Sequence, residues 1–187
     1  MFDSEINNSL EVLKNEHILL YPTDTVWGIG CDATSKSAVN TIFKIKNRSE
    51  SKSLIILVDG IAMLKNYVPI IPDTVFELLK TASNPTTIIY NNPKGLAKNV
   101  VANDHTVAIR IVQNDFCKQL ISEFGKPIVS TSANVSGNTT PNCFKEIDKA
   151  ILDSADYIVN LQREVVNDKS STILKVAENG EIIVLRK

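Results

Sequence analysis

Two short stretches of the chain carry residue types that bind anions. Lys46 and Arg48 are cations separated by one asparagine, and the run from Ser130 to Gly137 (STSANVSG) combines hydroxyl groups, an amide and a turn glycine. Cationic side chains, hydroxyls and backbone N–H groups are the donors that neutralise and orient phosphate groups. Together the two stretches predict a site for a triphosphate.

Each stretch also has a purely structural explanation. Lys46 and Arg48 fall at the C-terminal end of a predicted helix, where a cation that compensates the helix dipole contributes less than about 1 kcal/mol. The run from Ser130 to Gly137 is typical of an Asx or Ser/Thr turn between a strand and a helix. Because it follows a predicted strand directly, its polar groups also project from the edge where open α/β sheets bind ligands. Both interpretations stay open on these residues alone.

Other common catalytic arrangements are not encoded. The two histidines, His17 and His105, do not form a ligand pair, and the chain has no GxxxxGKS/T phosphate loop, no GxGxxG fingerprint and no GxSxG elbow. An enzyme built from these residues works by positioning substrates and stabilising charge. We expect no metal ion held by the protein itself.

The charge balance and the cysteines limit the partners and the location of the protein. Lys and Arg number 20 and Asp and Glu 21, so the net charge of -1 provides no broad field for nucleic acid or anionic membranes. Three widely spaced cysteines, an acidic N-terminus and the lack of an apolar run near the roughly 20 residues of a membrane span predict a cytoplasmic protein without membrane contact.

The elements that must position these residues alternate between helix and strand patterns. Apolar periodicity predicts an opening helix around Leu10, and helices over 37–46 (capped by Thr34 or Ser35), 73–81, 115–124 and 144–152. Apolar runs predict strands at 18–21, 54–58, 86–90, 107–112, 127–131, 157–159, 172–176 and 182–185, with a loop over 23–30 and a hairpin turn at Asn179-Gly180. We therefore expect one domain, 1–187, of mixed α/β class around one large, partly antiparallel sheet.

Five motifs follow one another along most of the chain. They are Tyr21–Gly28 (YPTDTVWG), Lys46–Arg48, Ala108–Arg110, Ser130–Gly137 and Ser171–Ile173. The series resembles the short, single-domain bacterial type of the YrdC-like family of threonylcarbamoyl-AMP synthases, whose hallmarks are a PT(E/D)TxxG segment, a KxR tripeptide and an SxN tripeptide. The resemblance runs from Leu10 to Arg186 and implies a twisted, mixed α/β sheet with a concave cleft on one face.

The resemblance also implies an activity. Members of the family make threonylcarbamoyl-AMP and pyrophosphate from L-threonine, bicarbonate and ATP, and the product serves to form threonylcarbamoyladenosine at position 37 of tRNA. For this chain it implies ATP accompanied by Mg²⁺, L-threonine and bicarbonate as ligands. It further implies downstream threonylcarbamoyl-transferase proteins as partners, with at most weak direct binding of tRNA or other RNA.

Roles for individual residues are implied in the same way. Lys46 and Arg48 would neutralise the triphosphate and are the expected catalytic residues. Besides these two, ATP contacts are implied for Thr87, Ser132, Asn134, Thr140 and Arg186, and L-threonine contacts for Thr23, Arg110 and Ser171. A guanidinium can hold a carboxylate with two parallel hydrogen bonds, which favours Arg110 as the partner of the amino acid's carboxylate.

The roles of Asp24 and Trp27 and one alternative function of the protein stay open. Asp24 can bind a metal, orient Thr23 or cap the loop, and Trp27 can close the cleft or anchor the core. The alternative function is a noncatalytic RNA- or nucleotide-binding module, because a cleft with Lys46, Arg48 and Arg110 can also bind a phosphate backbone. The near-neutral total charge argues against high-affinity binding of that kind.

Overall fold

Residues 2–48, 54–177 and 179–187 are described in the computed structural model of the chain. The strands are β1 (Leu19–Tyr21), β2 (Gly28–Gly30), β3 (Ile55–Val58), β4 (Thr86–Asn91), β5 (Thr106–Ile111), β6 (Ile128–Ser132), β7 (Tyr157–Ile158), β8 (Thr172–Val176) and β9 (Ile182–Arg186). Over the described ranges they form one sheet in the order β7-β1-β2-β6-β3-β5-β4-β8-β9. The pairs β1–β7, β3–β5 and β4–β8 are parallel and the others antiparallel, which confirms the predicted mixed sheet.

The α-helices are α1 (Phe2–Lys14), α2 (Lys36–Ile45), α3 (Ile61–Tyr67), α4 (Asp73–Thr81), α5 (Asp115–Phe124) and α6 (Lys149–Leu152), and short 3-10 turns lie at Lys98–Val100 and Phe144–Glu146. The Ser35 side chain caps α2 by accepting a hydrogen bond from Ala38 N. The predicted bounds of α4 and α5 are confirmed, whereas α3 was not predicted. No helix in the described ranges is long and apolar enough to cross a membrane.

The single helix predicted over 144–152 is wrong. The segment divides into the 3-10 turn Phe144–Glu146 and the short helix α6, with extended backbone at Ile147 and Asp148 between them. Asp148 stands at the N-cap position, and its carbonyl accepts hydrogen bonds from Ile151 N and Leu152 N. An aspartate is less favoured in a helix interior than just before its first turn, which agrees with the new start at Asp148, although the Asp148 side chain makes no capping hydrogen bond.

The loop predicted over 23–30 is also wrong at its C-terminal end. Gly28–Gly30 form β2, an inner strand that pairs with β1 on one side and β6 on the other. Glycine is depleted in strands, so a Gly-Ile-Gly sequence carries no strand signal. The structure explains its presence, because a Cβ built on Gly30 would lie 1.8 Å from Val129 O of the neighbouring chain segment.

Gly30→Ala should therefore lower the free energy of unfolding by about 3 kcal/mol, since the close neighbour is a backbone atom that no rotamer change can move. Gly60→Ala is the matched control, because no described atom lies within 4 Å of its ideal Cβ position. Urea denaturation followed by circular dichroism measures both variants. Equal, small losses of stability in the two variants would contradict the close approach of β2 to Val129.

The two faces of the central strands have different surroundings. Val107 and Ile109 of β5 are fully buried on one face of the sheet, while Ala108 and Arg110 alternate with them and point to the other face. The helices α1 and α5 pack against each other and contribute buried residues such as Leu10 and Leu120 to the core. The face that carries Ala108 and Arg110 is left open over part of its area and forms the floor of a cavity.

Candidate active site

A cavity of about 460 Å³ lies on this open face. Strand pairing places four of its residues in one row across four strands: Arg110 of β5 lies opposite Thr87 of β4, Thr87 opposite Ile173 of β8, and Ile173 opposite Arg186 of β9. The next row along the strands places Ala108 between Ile55 and Ile89, which gives the floor an apolar strip. Regular pairing thus brings two arginines from distant parts of the chain to the same surface.

Most of the residues singled out from the sequence meet at this cavity. Its walls include Arg48, Thr87, Arg110, Ser132, Thr140, Ser171 and Arg186. Three others, Thr23, Lys46 and Asn134, are buried and are not among the cavity-lining residues in the described part of the chain. On the side away from the cavity, Lys46 and Asn134 contact Ser132 and Thr23 contacts Thr25.

Lys46 is the most buried of the predicted cations, with 1% of its surface exposed. Its Nζ donates to the carbonyl oxygens of Ser132 and Asn134 and lies 3.3 Å from Asn134 Oδ1. Burial, with a smaller contribution from the nearby charge of Arg48, lowers the pKa of Lys46 to about 8. The ammonium group therefore holds the end of β6 and the start of the following loop in place.

Further hydrogen bonds hold the loop after β6 in place. Ser132 Oγ donates to Asn134 Oδ1, Asn134 Nδ2 donates to Asn138 O at 2.7 Å, and Ser136 N donates to Lys46 O at 2.9 Å. The C-terminal end of α2 and the loop thus bind each other through both the side chain and the backbone of Lys46. This arrangement fixes Ser132 at the wall of the cavity.

Arg110 is 4% exposed and is held by the loop between β1 and β2. Its Nη2 lies 3.1 Å from Asp24 Oδ1, and its Nη1 donates to Thr25 Oγ1 at 3.3 Å. Its Nε is buried and has no hydrogen-bond partner among the described residues. Asp24, which the sequence left without an assigned role, is therefore the counterion of Arg110. The pair joins residues far apart in the chain, so no local pattern indicates it.

Thr23 stabilises the same loop from inside. Its hydroxyl donates to Val26 O at 2.8 Å and lies 2.9 Å from Thr25 Oγ1, and it accepts from Thr25 N at 3.0 Å. These bonds shape the turn that presents Thr25 and Val26 to the cavity. The structure places Thr23 as a residue of the loop's interior, and direct contact with an amino acid stays a prediction.

Ser171 joins two other cavity-lining residues, Thr87 and Arg186, through hydrogen bonds. It accepts a hydrogen bond at Oγ from Thr87 Oγ1 at 2.9 Å, and its carbonyl accepts from Arg186 Nε at 3.1 Å and Nη2 at 2.7 Å. Arg186 is therefore oriented by Ser171, the residue just before β8. Thr87 is fully buried, and its hydroxyl is bound to that of Ser171.

Trp27 is a buried core residue that also lines the cavity, and closure of the cleft by its ring stays a prediction. It is 4% exposed, lines the cavity and packs on Phe144 with ring centroids 5.0 Å apart. The guanidinium of Arg163 lies over the Phe144 ring at 4.5 Å. Sequence reasoning also missed Asn142, Asp168 and Lys169, which line the cavity from segments without regular structure and carry no local signal.

Metal ligands are sparse around this cavity. In the described ranges, no group of three or more His, Cys, Asp or Glu side chains is placed to hold a metal ion. The side chains that surround the cavity are mainly arginines and hydroxyls, which are donors for an anion. A divalent cation at this site would therefore need oxygen ligands from its own substrate and from water.

The sequence of the chain matches one protein family and named members of it. The Sua5–YciO–YrdC family model, described as "Telomere recombination", matches residues 11–187. A protein of Pseudoalteromonas translucida named threonylcarbamoyl-AMP synthase is 33% identical over 182 residues, which cover 96% of both chains.

Two solved structures share the fold. E. coli YciO superposes with a TM-score of 0.84 at 22% identity, over 97% of this chain and 88% of its own. P. abyssi Sua5 complexed with L-threonine superposes with a TM-score of 0.84 at 24% identity, over 97% of this chain, which spans only 53% of the Sua5 chain. The family model and the 33% identical relative confirm the resemblance read from the five motifs, and the chain belongs to the Sua5–YciO–YrdC family.

Proposed function

We propose that this chain is a threonylcarbamoyl-AMP synthase, which converts L-threonine, bicarbonate and ATP to threonylcarbamoyl-AMP and pyrophosphate. The observation that carries the proposal is the convergence of Arg48, Arg110 and Arg186 with several hydroxyl groups on one cavity. Relatives that bear this enzyme's name cover most of the chain, and the related P. abyssi structure holds L-threonine. The sheet face provides one surface on which three substrates can meet.

At the nucleotide end, Arg48, Ser132 and Thr140 bind the phosphates in this proposal, and Thr87 and Arg186, which also line the cavity, are further ATP contacts. Lys46 and Asn134 act from behind by holding Ser132 in place. Mg²⁺ bound with ATP would be held by phosphate oxygens and water and would supply charge neutralisation on the triphosphate. The arginines add fixed positive charge that needs no reorganisation during the reaction.

At the amino-acid end, Arg110 binds the carboxylate of L-threonine. Its guanidinium is oriented by Asp24 and Thr25, and its buried Nε still lacks a partner among the described residues. A carboxylate that accepts from this Nε would satisfy a donor whose burial is otherwise unfavourable. Ser171 and the loop that contains Thr23 complete the surroundings of this end of the cavity.

The reaction then needs alignment more than a covalent protein intermediate. The threonine amino group and bicarbonate condense to a carbamate with loss of water. A carbamate oxygen attacks the α-phosphorus of ATP, and the bond from that phosphorus to the bridging oxygen breaks as pyrophosphate leaves. Holding the weak carbamate nucleophile in line with the leaving group accounts for much of the required rate gain. The arginines of the cavity stabilise the charge on the departing pyrophosphate.

The proposal also covers the domain organisation, the location and the partners of the protein. We place residues 1–187 in one domain, acting in the cytoplasm, and expect its activated product to pass to threonylcarbamoyl-transferase proteins that complete the tRNA modification. The near-neutral net charge of -1 favours weak rather than tight contact with tRNA. A chemically reactive product of this type makes direct transfer to a partner advantageous.

Pyrophosphate release by the purified chain tests the proposed activity. We expect release that requires ATP, Mg²⁺, L-threonine and bicarbonate, together with a threonylcarbamoyl-AMP adduct detected by mass spectrometry. Each component is omitted in turn, and D-threonine serves as the control for specific recognition. Release without threonine would indicate another acceptor. Absence of turnover combined with salt-sensitive RNA binding would favour the noncatalytic binding module.

A further inference from the structure

The Asp24–Arg110 pair carries an inference that goes beyond the proposed reaction. Both side chains are more than nine-tenths buried, at 8% and 4% exposure, and lie 3.1 Å apart; Arg110 lines the cavity and Asp24 lies behind it. Asp24 Oδ2 accepts a hydrogen bond from Gln113 N at 3.3 Å, and Asn167 Nδ2 donates to Asp24 O at 3.4 Å. The Gln113 contact holds the carboxylate and the Asn167 contact holds the backbone of Asp24, so two other segments keep Asp24 next to the guanidinium.

The contacts around Asp24 leave little support for the other roles that its sequence position permits. The Thr23 hydroxyl is engaged with Thr25 and with the Val26 carbonyl, so Asp24 does not orient it. A metal ion beside Asp24 would face the positive charge of Arg110 at close range, and the described residues supply no cluster of additional ligands. The charge of Asp24 therefore acts mainly on Arg110 and on whatever Arg110 binds.

The Asp24–Arg110 pair has no net charge, and this determines which charge type of ligand it binds best. A carboxylate that binds to Arg110 comes within a few ångströms of Asp24 and is repelled by it, because charges in a buried setting interact strongly. A ligand that also carries an ammonium group brings a compensating positive charge. The combined site then holds two positive and two negative charges, whereas an anion without the ammonium leaves an unbalanced negative charge in a buried place.

We propose that Asp24 is a specificity-determining residue that makes the amino-acid subsite select a zwitterion over a simple carboxylate. This inference rests on the proposed function, because it takes the carboxylate of L-threonine as the ligand of Arg110. Asp24 balances the charge of Arg110 in the empty protein and penalises the initial binding of carboxylates without an α-ammonium group, which L-threonine carries until its amino group is converted to the carbamate. The loop between β1 and β2 thus sets the ligand's charge type as well as the geometry of Arg110.

The test compares L-threonine with 3-hydroxybutanoate, which is the same molecule without the amino group. Isothermal titration calorimetry on the full chain should give an affinity for L-threonine at least about tenfold higher than for 3-hydroxybutanoate. Asp24→Asn keeps the size of the side chain and removes its charge. In this variant the preference should fall at least about tenfold, mainly through tighter binding of 3-hydroxybutanoate.

Controls separate a change of charge from a change of fold. Asp32→Asn removes a carboxylate of similar burial that pairs with Lys126 at 2.9 Å and does not line the cavity, and it should leave the ligand preference unchanged. Asp24→Glu should restore the preference for the zwitterion. Asp24→Ala removes the same charge and replaces Asp24→Asn where circular dichroism shows that the latter is unfolded.

The outcomes also separate this inference from the proposed function. Equal binding of the two ligands by the unmodified protein, or an unchanged preference in folded Asp24→Asn, would overturn the role of Asp24 while leaving the synthase intact. Failure of the unmodified protein to bind L-threonine at all would instead contradict the proposed function. A loss of preference in Asp24→Asn with recovery in Asp24→Glu supports the inference.

Discussion

Arg48→Ala should lower kcat/KM for ATP by about 100-fold or more, on the scale of a lost electrostatic donor in an active site. The Arg48 side chain lines the cavity at the end of α2 and is only partly buried, so its removal opens no large space in the core. Steady-state pyrophosphate release at varied ATP concentration measures the effect. The thermal unfolding midpoint should change little.

The control for Arg48 lies on α2, which ends three residues before Arg48. Lys44→Ala removes an exposed cation of α2 that does not line the cavity and should leave kcat/KM unchanged. Arg48→Lys keeps the positive charge but loses the planar donor pair, so it should recover only part of the activity. Near-normal kcat/KM in Arg48→Ala would remove Arg48 from the set of phosphate-binding residues.

Element types were largely predictable because most of the chain follows simple apolar patterns. The strand over 172–176 and the helices over 73–81 and 115–124 have the predicted bounds, since β-branched runs and helical periodicity agree with the packing of the final fold. The failure at Gly28–Gly30 has a physical reason. That strand exists because two backbones approach closely, and such an approach is visible only once the partner strand is known.

Residue types at the site could be read from the sequence, whereas their partners could not. Arg48, Arg110 and Ser132 line the cavity at positions that the motifs indicated. The counterion of Arg110 was missed, because Asp24 lies in a different motif and only the packing of the β1–β2 loop on β5 brings the two together. Motif spacing describes the order of pieces along the chain and contains no information about such contacts.

Lys46 is a second residue whose type was predicted from the sequence but whose contacts were not. The sequence makes it a second cation for the triphosphate, equivalent to Arg48. In the structure its ammonium donates to the Ser132 and Asn134 carbonyls, and its side chain stays behind the wall of the cavity. The two cations of the KxR tripeptide therefore differ in position, since Arg48 lines the cavity and Lys46 lies behind its wall; we propose that Arg48 is a phosphate ligand and Lys46 a positioning residue.

Lys46→Met should lower the rate of threonylcarbamoyl-AMP formation by about 100-fold or more and, unlike Arg48→Ala, also lower the free energy of unfolding by about 1–3 kcal/mol. Methionine fills a similar volume but removes the ammonium donor that binds the Ser132 and Asn134 carbonyl oxygens. The loop after β6 then loses the geometry that presents Ser132 to the nucleotide. Urea denaturation and ATP titration of the two variants measure this difference, and unchanged stability in Lys46→Met would contradict it.

The pH dependence of ATP binding supplies a second readout of the Lys46 prediction. Because burial lowers the pKa of Lys46 to about 8, the ammonium loses its proton as the pH rises through that value. The neutral amine has two hydrogens for three neighbouring oxygens and carries no charge, so ATP affinity should fall between pH 7 and about 9. In Lys46→Met this decrease should vanish, because the weakened binding no longer depends on a titrating lysine. An equal decrease in both proteins would assign the titration to another group.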